Sequence, residues 1–263
     1  MNDKPVVGII GLGAMGGAIA RALGESFMPT QLFGYDHQLN QADGLAIKRA
    51  GSARELCERS DMILIAVKPQ QIDELIAKIA PIEDKLLVSI AAGVTISRLT
   101  SFGATRIVRA MPNLAALAGA SLTGWVASAE VTLLDRSTVQ EIFATFGLEL
   151  ELADESTMDA LTAVSGSGPG YLMAMAEALT TAAESVGFST EQAELIVRQT
   201  LIGGGALLAA DTRSFAALKR AVTSKGGITE AAFVAMPEAE LTTLMSRAVI
   251  AGTDRARSLG KQS

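Results

Sequence analysis

Short apolar runs alternate with stretches of helical spacing over the first half of the chain. Val6–Ile10, Gln31–Asp36, Asp61–Val67, Lys85–Ala91 and Arg106–Met111 read as strands. Met62 to Val67 is apolar without interruption, as in a strand covered on both faces. Ala18–Leu23 has helix-forming composition, and Pro69 opens a helix over Gln70–Ala80 at the position where proline costs no hydrogen bond. Two further strand-like pieces, Ser121–Ala127 and Leu148–Leu152, flank an amphipathic helix around Glu130–Phe146. This alternation predicts an α/β fold: a doubly wound, mostly parallel sheet with helices on both faces.

After Asp154 the pattern changes. Ala, Leu, Met and Glu at helical spacing replace the β-branched runs, so a second, all-helical domain is expected over 154–263, following a sheet domain over 1–153. Its first long helix follows Ser165–Gly170 and puts Tyr171, Met175, Ala178, Ala182 and Val186 on one face. A second, Thr190–Ala210, contains Gly203, Gly204 and Gly205. Each interior glycine costs about 1 kcal/mol relative to alanine, so three in succession predict a kink or a close backbone approach by another helix. Apolar surfaces of this kind need covering, and an intimate homodimer is expected. Helices over Phe215–Val222 and from Ala231 complete the domain.

The candidate chemistry starts where the first strand becomes a helix. Gly11, Gly13 and Gly16 fall at that turn in G-x-G-x-x-G spacing. The first glycine permits the tight turn, the second lets backbone approach a pyrophosphate, and the third lets the helix pack against the strand. The N–H groups at Ala14, Met15 and Gly16 then face an anion. Asp36 ends the next strand, where a carboxylate accepts hydrogen bonds from an adenosine ribose; a helix N-cap is the plain alternative. The first domain thus reads as a Rossmann-type dinucleotide-binding domain. An acid at this position favours NAD, while neighbouring basic residues could receive a 2′-phosphate, so NADP and NAD both stay open. Ligands sit beyond the carboxyl ends of strands in such sheets, which brings in Ala66, Val67, Lys68 and Pro69, then Ala92 and Gly93, then Pro112 and Asn113. In the helical half, Thr223–Glu230 sets Gly226 and Gly227 before a helix. Successive backbone N–H groups there, with the Ser224 and Thr229 hydroxyls, could grip a carboxylate; an ordinary connection with Thr229 as N-cap is the alternative.

Composition narrows the partners. A net charge of -6 on 263 residues, without a basic cluster, disfavours nucleic acid and favours a small molecule. One cysteine, Cys57, and one histidine, His37, supply neither a disulfide nor a metal cluster, which points to a reducing, cytoplasmic setting and no metal site. The apolar stretch before Ala20 is interrupted by glycines and is not read as a secretory signal. No uninterrupted apolar run approaches the roughly 20 residues of a membrane span, so no membrane partner is expected.

The chain resembles the pyrroline-5-carboxylate reductase family, which makes proline by reducing a cyclic imine. The resemblance rests on Gly11–Gly16, Ala66-Val67-Lys68-Pro69, Ser89-Ile90-Ala91-Ala92-Gly93, Arg109-Ala110-Met111-Pro112-Asn113, Ser165–Pro169 with Tyr171, and Thr223–Thr229. It implies a reduced NADP or NAD as hydride donor, and a helical domain that interlocks with a second subunit, the dimers often assembling into larger rings. The substrate is implied to bind between the nicotinamide and the Gly226–Gly227 loop. Ser224, Gly226, Gly227, Ile228 and Thr229 are implied to hold its carboxylate, with Ser167 nearby and the Thr229 hydroxyl meeting the ring nitrogen. Lys68, Asn113 and the Ser165–Pro169 turn are implied to border the nicotinamide. The chain departs from the family pattern at Leu114-Ala115, where Thr-Pro is common, at Ile228, where threonine is frequent, and at Ala53, where many members carry asparagine.

Three rival readings remain: a reductase of a related cyclic imine, a β-hydroxyacid dehydrogenase, and a non-catalytic NAD(P)-binding sensor. The dehydrogenase class uses a lysine on its central helix, and no lysine occurs between Lys85 and Lys219.

Overall fold

The computed structural model of the chain describes residues 4–262. Eight strands form one sheet: β1 Val7–Ile10, β2 Leu32–Tyr35, β3 Lys48–Arg49, β4 Met62–Ile65, β5 Leu86–Ser89, β6 Arg106–Met111, β7 Ser121–Ala127 and β8 Gly147–Glu151. Their order is β3-β2-β1-β4-β5-β6-β7-β8. All pairs run parallel except β6 with β7, where Val108 lies opposite Ala127 and Met111 opposite Gly124. The expected doubly wound, mostly parallel sheet is therefore present. The two-residue edge strand β3 carries too little apolar pattern to stand out in the sequence.

Strand alternation divides the core. Ile9, Leu64, Val88 and Val108 face one side, where α1 (Ala14–Ser26) and α5 (Leu133–Ala144) cover them together with Trp125, Phe143 and Phe146. Ile10, Ile65, Leu87 and Ile107 face the other, under α2 (Ala53–Arg59), α3 (Ile72–Ile79) and α4 (Ile96–Leu99). Every residue of β1, β4 and β5 is buried, which accounts for the unbroken apolar character of those strands.

The chain continues through α6 (Met158–Leu161), a π-helical turn at Thr162–Gly166, α7 (Gly168–Ser185), α8 (Thr190–Ala210), α9 (Phe215–Ala221), α10 (Ile228–Ala235) and α11 (Glu238–Gln262). Side-chain oxygens of Ser189 and Ser214 cap α8 and α9 at their amino ends. The molecule divides into two compact units. One runs to Pro169 and takes in the chain from Ile250 onward; Gly170–Val249 form the other.

Within the chain alone, α7 buries no residue and α8 buries only Ala193 and Val197. Met173, Met175, Leu179, Leu195 and Ile202 are exposed. Gly203–Gly205 do not kink α8, which is continuous. A Cβ built on any of the three would meet nothing within 4 Å, so the open strip suits a close backbone approach by another chain. Among the described residues, α8 is the one helix long and apolar enough to cross a membrane by length and composition.

Helix α5 opens with a capping box. The Asp135 carboxylate accepts from the Thr132 N–H at 3.0 Å, the Thr132 hydroxyl at 2.8 Å and Arg106 Nη1 at 2.6 Å. Burial pushes the Asp135 carboxyl up, but these hydrogen bonds outweigh it and hold the group below the usual carboxylate range. Its stabilisation is present above the unfolded carboxylate pKa and is lost as pH falls through the lower, folded value. Asp135→Asn is expected to cost about 1–2 kcal/mol near neutral pH. The deficit should close as pH falls below the ordinary carboxylate range, read from denaturant unfolding of both proteins across pH.

Candidate active site

The glycine turn lies at the carboxyl end of β1, between β2 and β4, where the connections leave in opposite directions and open a crevice. Gly11 has φ of 92°, and its N–H donates to the Tyr35 carbonyl at 2.9 Å, so the turn is tied to the neighbouring strand. A Cβ at Gly16 would lie 1.9 Å from the Gly11 carbonyl oxygen, which is why only glycine lets α1 start this close to β1. Gly13 differs: nothing in the chain lies within 4 Å of a Cβ built there. It is the N-cap of α1 and no side chain caps the helix, so the leading N–H groups at Ala14, Met15 and Gly16 face open space.

That space is a cleft of about 510 Å³ lined by Gly11, Gly13, Asp36, Ala53, Val67 and Lys68 among others. Asp36 stands at the end of β2 with a side chain 9% exposed. It is not a helix N-cap: Oδ2 accepts the Leu12 N–H at 2.7 Å and Oδ1 the Gln38 N–H at 2.9 Å, pinning the carboxylate against the glycine turn. A pyrophosphate at the open Gly13 turn and a ribose at Asp36 match the donors and acceptors present, so the cleft fits a dinucleotide.

The other strand ends border the same crevice. Ala66 and Val67 follow β4, and Pro69 begins a short 3₁₀ turn that Gln71 closes by accepting the Lys68 N–H at 3.1 Å. Gly93, with φ of 77°, is packed by the last turns of α11; its Cβ would lie 3.2 Å from the Gly260 nitrogen. The sequence reading missed this support, for which Ala256 and Gly260, small residues four apart, were the available signal. Asn113 caps the 3₁₀ turn Leu114–Ala118 through its side-chain oxygen. Its amide donates to the Ser165 carbonyl and hydroxyl, both at 3.2 Å, gripping the π-helical turn. Leu114, in place of the family's threonine, is exposed. Ser167 is exposed and caps that turn, its N–H donating to Thr162 at 2.9 Å.

Arg109 was quoted in the sequence only as part of a motif, and its role was missed. It is 4% exposed and splits its guanidinium between Glu155 and Asp159, each at 2.9 Å. Glu155 also accepts the Ile96 N–H at 2.9 Å. A charged residue amid the apolar run of β6 was the visible sign of a buried pair.

In the second unit, Gly226 takes φ of 72° and Gly227, not Thr229, is the N-cap of α10. The expected pair of outward N–H groups is arranged differently. The Gly226 N–H donates to the Glu230 carboxylate at 2.7 Å and the Gly227 N–H to the Ser224 carbonyl at 3.0 Å. The Ser224 hydroxyl lies 2.2 Å from where a Cβ on Gly227 would be, so glycine there makes room for it. Uncapped by any side chain, the first turn of α10 at Ile228 and Thr229 supplies the donors.

A family model described as pyrroline-5-carboxylate reductase dimerisation matches residues 155–259, and one described as NADP oxidoreductase coenzyme F420-dependent matches residues 6–93. The chain is 32% identical to a pyrroline-5-carboxylate reductase of Pseudomonas aeruginosa, over 99% of this chain and 98% of that protein. The chain belongs to the pyrroline-5-carboxylate reductase family. It is also 34% identical to the Escherichia coli reductase, over 97% of this chain and 98% of that protein. Among solved structures, pyrroline carboxylate reductase of Plasmodium falciparum with NADP bound matches with a TM-score of 0.86 at 28% identity, covering 98% of this chain and 99% of that one. The family's helical dimerisation region coincides with the helices that leave apolar surface uncovered here.

The glycines separate folding from binding. Gly13→Ala is expected to leave the melting temperature unchanged, because φ of -63° suits alanine and its methyl meets no protein atom, yet to weaken NAD(P)H binding at least tenfold. Gly16→Ala should lower the melting temperature as well. Thermal melts alongside coenzyme fluorescence titrations check both.

Proposed function

We propose that this chain reduces 1-pyrroline-5-carboxylate to L-proline with NAD(P)H, as a cytoplasmic homodimer in which the helical unit covers its apolar faces against a second copy. Family membership along nearly the whole chain carries the reading, joined to the open Gly13 turn that fits the coenzyme. When bound, the reduced nicotinamide supplies the hydride that the imine carbon accepts.

The protein's own task is positioning. Backbone N–H groups at Ala14, Met15 and Gly16 receive the pyrophosphate, while Gly11 and Gly16 let strand and helix close around it. Ala66, Val67, Lys68, Pro69, Ala92, Gly93 and Asn113 border the nicotinamide half, with Asn113 holding the Ser165 turn in place. Ser224, Ile228 and Thr229 hold the substrate carboxylate at the uncapped start of α10, Gly226 and Gly227 supplying the turn. The Thr229 hydroxyl orients the imine nitrogen. Ser167, exposed at the end of the π-helical turn, lies with this set.

The deciding assay follows oxidation of NADH and NADPH in the presence of pyrroline-5-carboxylate, pyrroline-2-carboxylate and piperideine-carboxylates. Rapid oxidation with the first is expected. Binding of coenzyme without imine-dependent oxidation would instead mark a sensor. Thr229→Ala is expected to reduce turnover by the worth of a charge-assisted hydrogen bond, about 1.5–3 kcal/mol, and unchanged kinetics would remove it from the mechanism. Gly204→Leu should yield particles below dimer mass by light scattering, since the side chain would project into the strip left open on α8.

A further inference from the structure

We propose that the adenosine end of the cleft is built for an unphosphorylated ribose, so that this chain binds NADH in preference to NADPH, with Asp36 as the residue that decides. The proposal rests on the NAD(P)H-reductase reading and deepens it.

The first observation is that the Asp36 carboxylate cannot swing aside. Backbone N–H groups of Leu12 and Gln38 hold its two oxygens at 2.7 and 2.9 Å, and Leu12 belongs to the very turn that receives the pyrophosphate. Each oxygen keeps a lone pair, enough to accept from two ribose hydroxyls. A phosphate on that ribose would instead place up to two negative charges against a fixed, nine-tenths buried carboxylate.

The second observation is that the surrounding cations are already engaged. Glu74 on α3 lines the same cleft and adds another carboxylate, held below the usual range by the Lys78 hydrogen bond. Lys78 lies 2.6 Å from it. Arg49 pairs with Asp43, Arg54 donates to the Lys78 and Ala80 carbonyls, and Lys48 sits over the Phe33 ring at 5.8 Å. Exposed pairs such as these are individually weak and exchangeable. Lys78 with Glu74 and Arg49 with Asp43 each sum to zero charge, however, and Asp36 leaves the ribose end net negative. His37 stands beside it, with Nδ1 3.2 Å from Asp36 Oδ1, and is exposed.

Equilibrium titration of the full-length protein with NADH and with NADPH, by coenzyme fluorescence, tests this without reference to turnover. NADPH is expected to bind about ten- to a hundredfold more weakly, with the ratio shrinking as salt is raised. Asp36→Asn keeps an oxygen for the Leu12 N–H and should bring the two affinities together, chiefly by tightening NADPH. His37→Ala should keep the wild-type ratio. NADPH binding as tightly as NADH to the wild-type protein overturns the proposal and leaves the reductase reading standing, as does a salt-independent ratio. An unaltered ratio in Asp36→Asn, or loss of the ratio in His37→Ala, overturns the role given to Asp36. Failure to bind either coenzyme overturns both readings.

Discussion

The constraint on which the rest depends is the distance between the end of β1 and the start of α1. A methyl group at position 16 would overlap the carbonyl oxygen of Gly11, so backbone meets backbone with nothing between. This closeness aims the amino end of α1 at the switch point of the sheet, where the field of the helix and its leading N–H groups favour an anion. It also brings Leu12 within reach of Asp36, so one approach sets both the phosphate end and the ribose end of the cleft. A larger residue at position 16 would move two binding determinants at once.

The second unit obeys the opposite logic. Where β1, β4 and β5 are sealed, α7 and α8 carry methionines, leucines and a run of glycines with nothing against them in the single chain. Apolar area left in water contributes nothing to folding; buried against a copy, each Å² is worth about 25 cal/mol. The family's dimerisation region falls on these helices, and their surface composition is explained by a second subunit.

Sheet order and the coenzyme crevice were legible from residues because both follow from local rules. Unbroken apolar runs mark buried strands, and glycine spacing at a strand-to-helix turn marks a phosphate site. What stayed hidden depends on contacts distant in sequence. Arg109 reads as an ordinary strand residue until the fold brings Glu155 and Asp159 to it, 46 and 50 positions away. Gly93 reads as a turn glycine until Gly260 arrives against it. Near Gly226 the spacing located the loop, but not that Glu230 reaches back to occupy its N–H, because a carboxylate one helical turn away looks the same whether it faces solvent or backbone. Gly203–Gly205 were legible as close-packing residues, and the error lay in allowing a kink that the hydrogen-bonded helix does not make.

The Arg109 cluster also bears on rigidity. Its guanidinium joins β6 to the segment entering the π-helical turn, and Glu155 ties that segment to the start of α4 as well. Parting a buried pair of this sort costs on the order of 3–5 kcal/mol, so a detached arrangement occupies well under one molecule in a hundred. The wall that Asn113 and Ser165 form is therefore a stiff anvil on the timescale of turnover. Any yielding that admits substrate and releases product falls to the solvent-exposed connection around Lys225, where no such pair ties the backbone down.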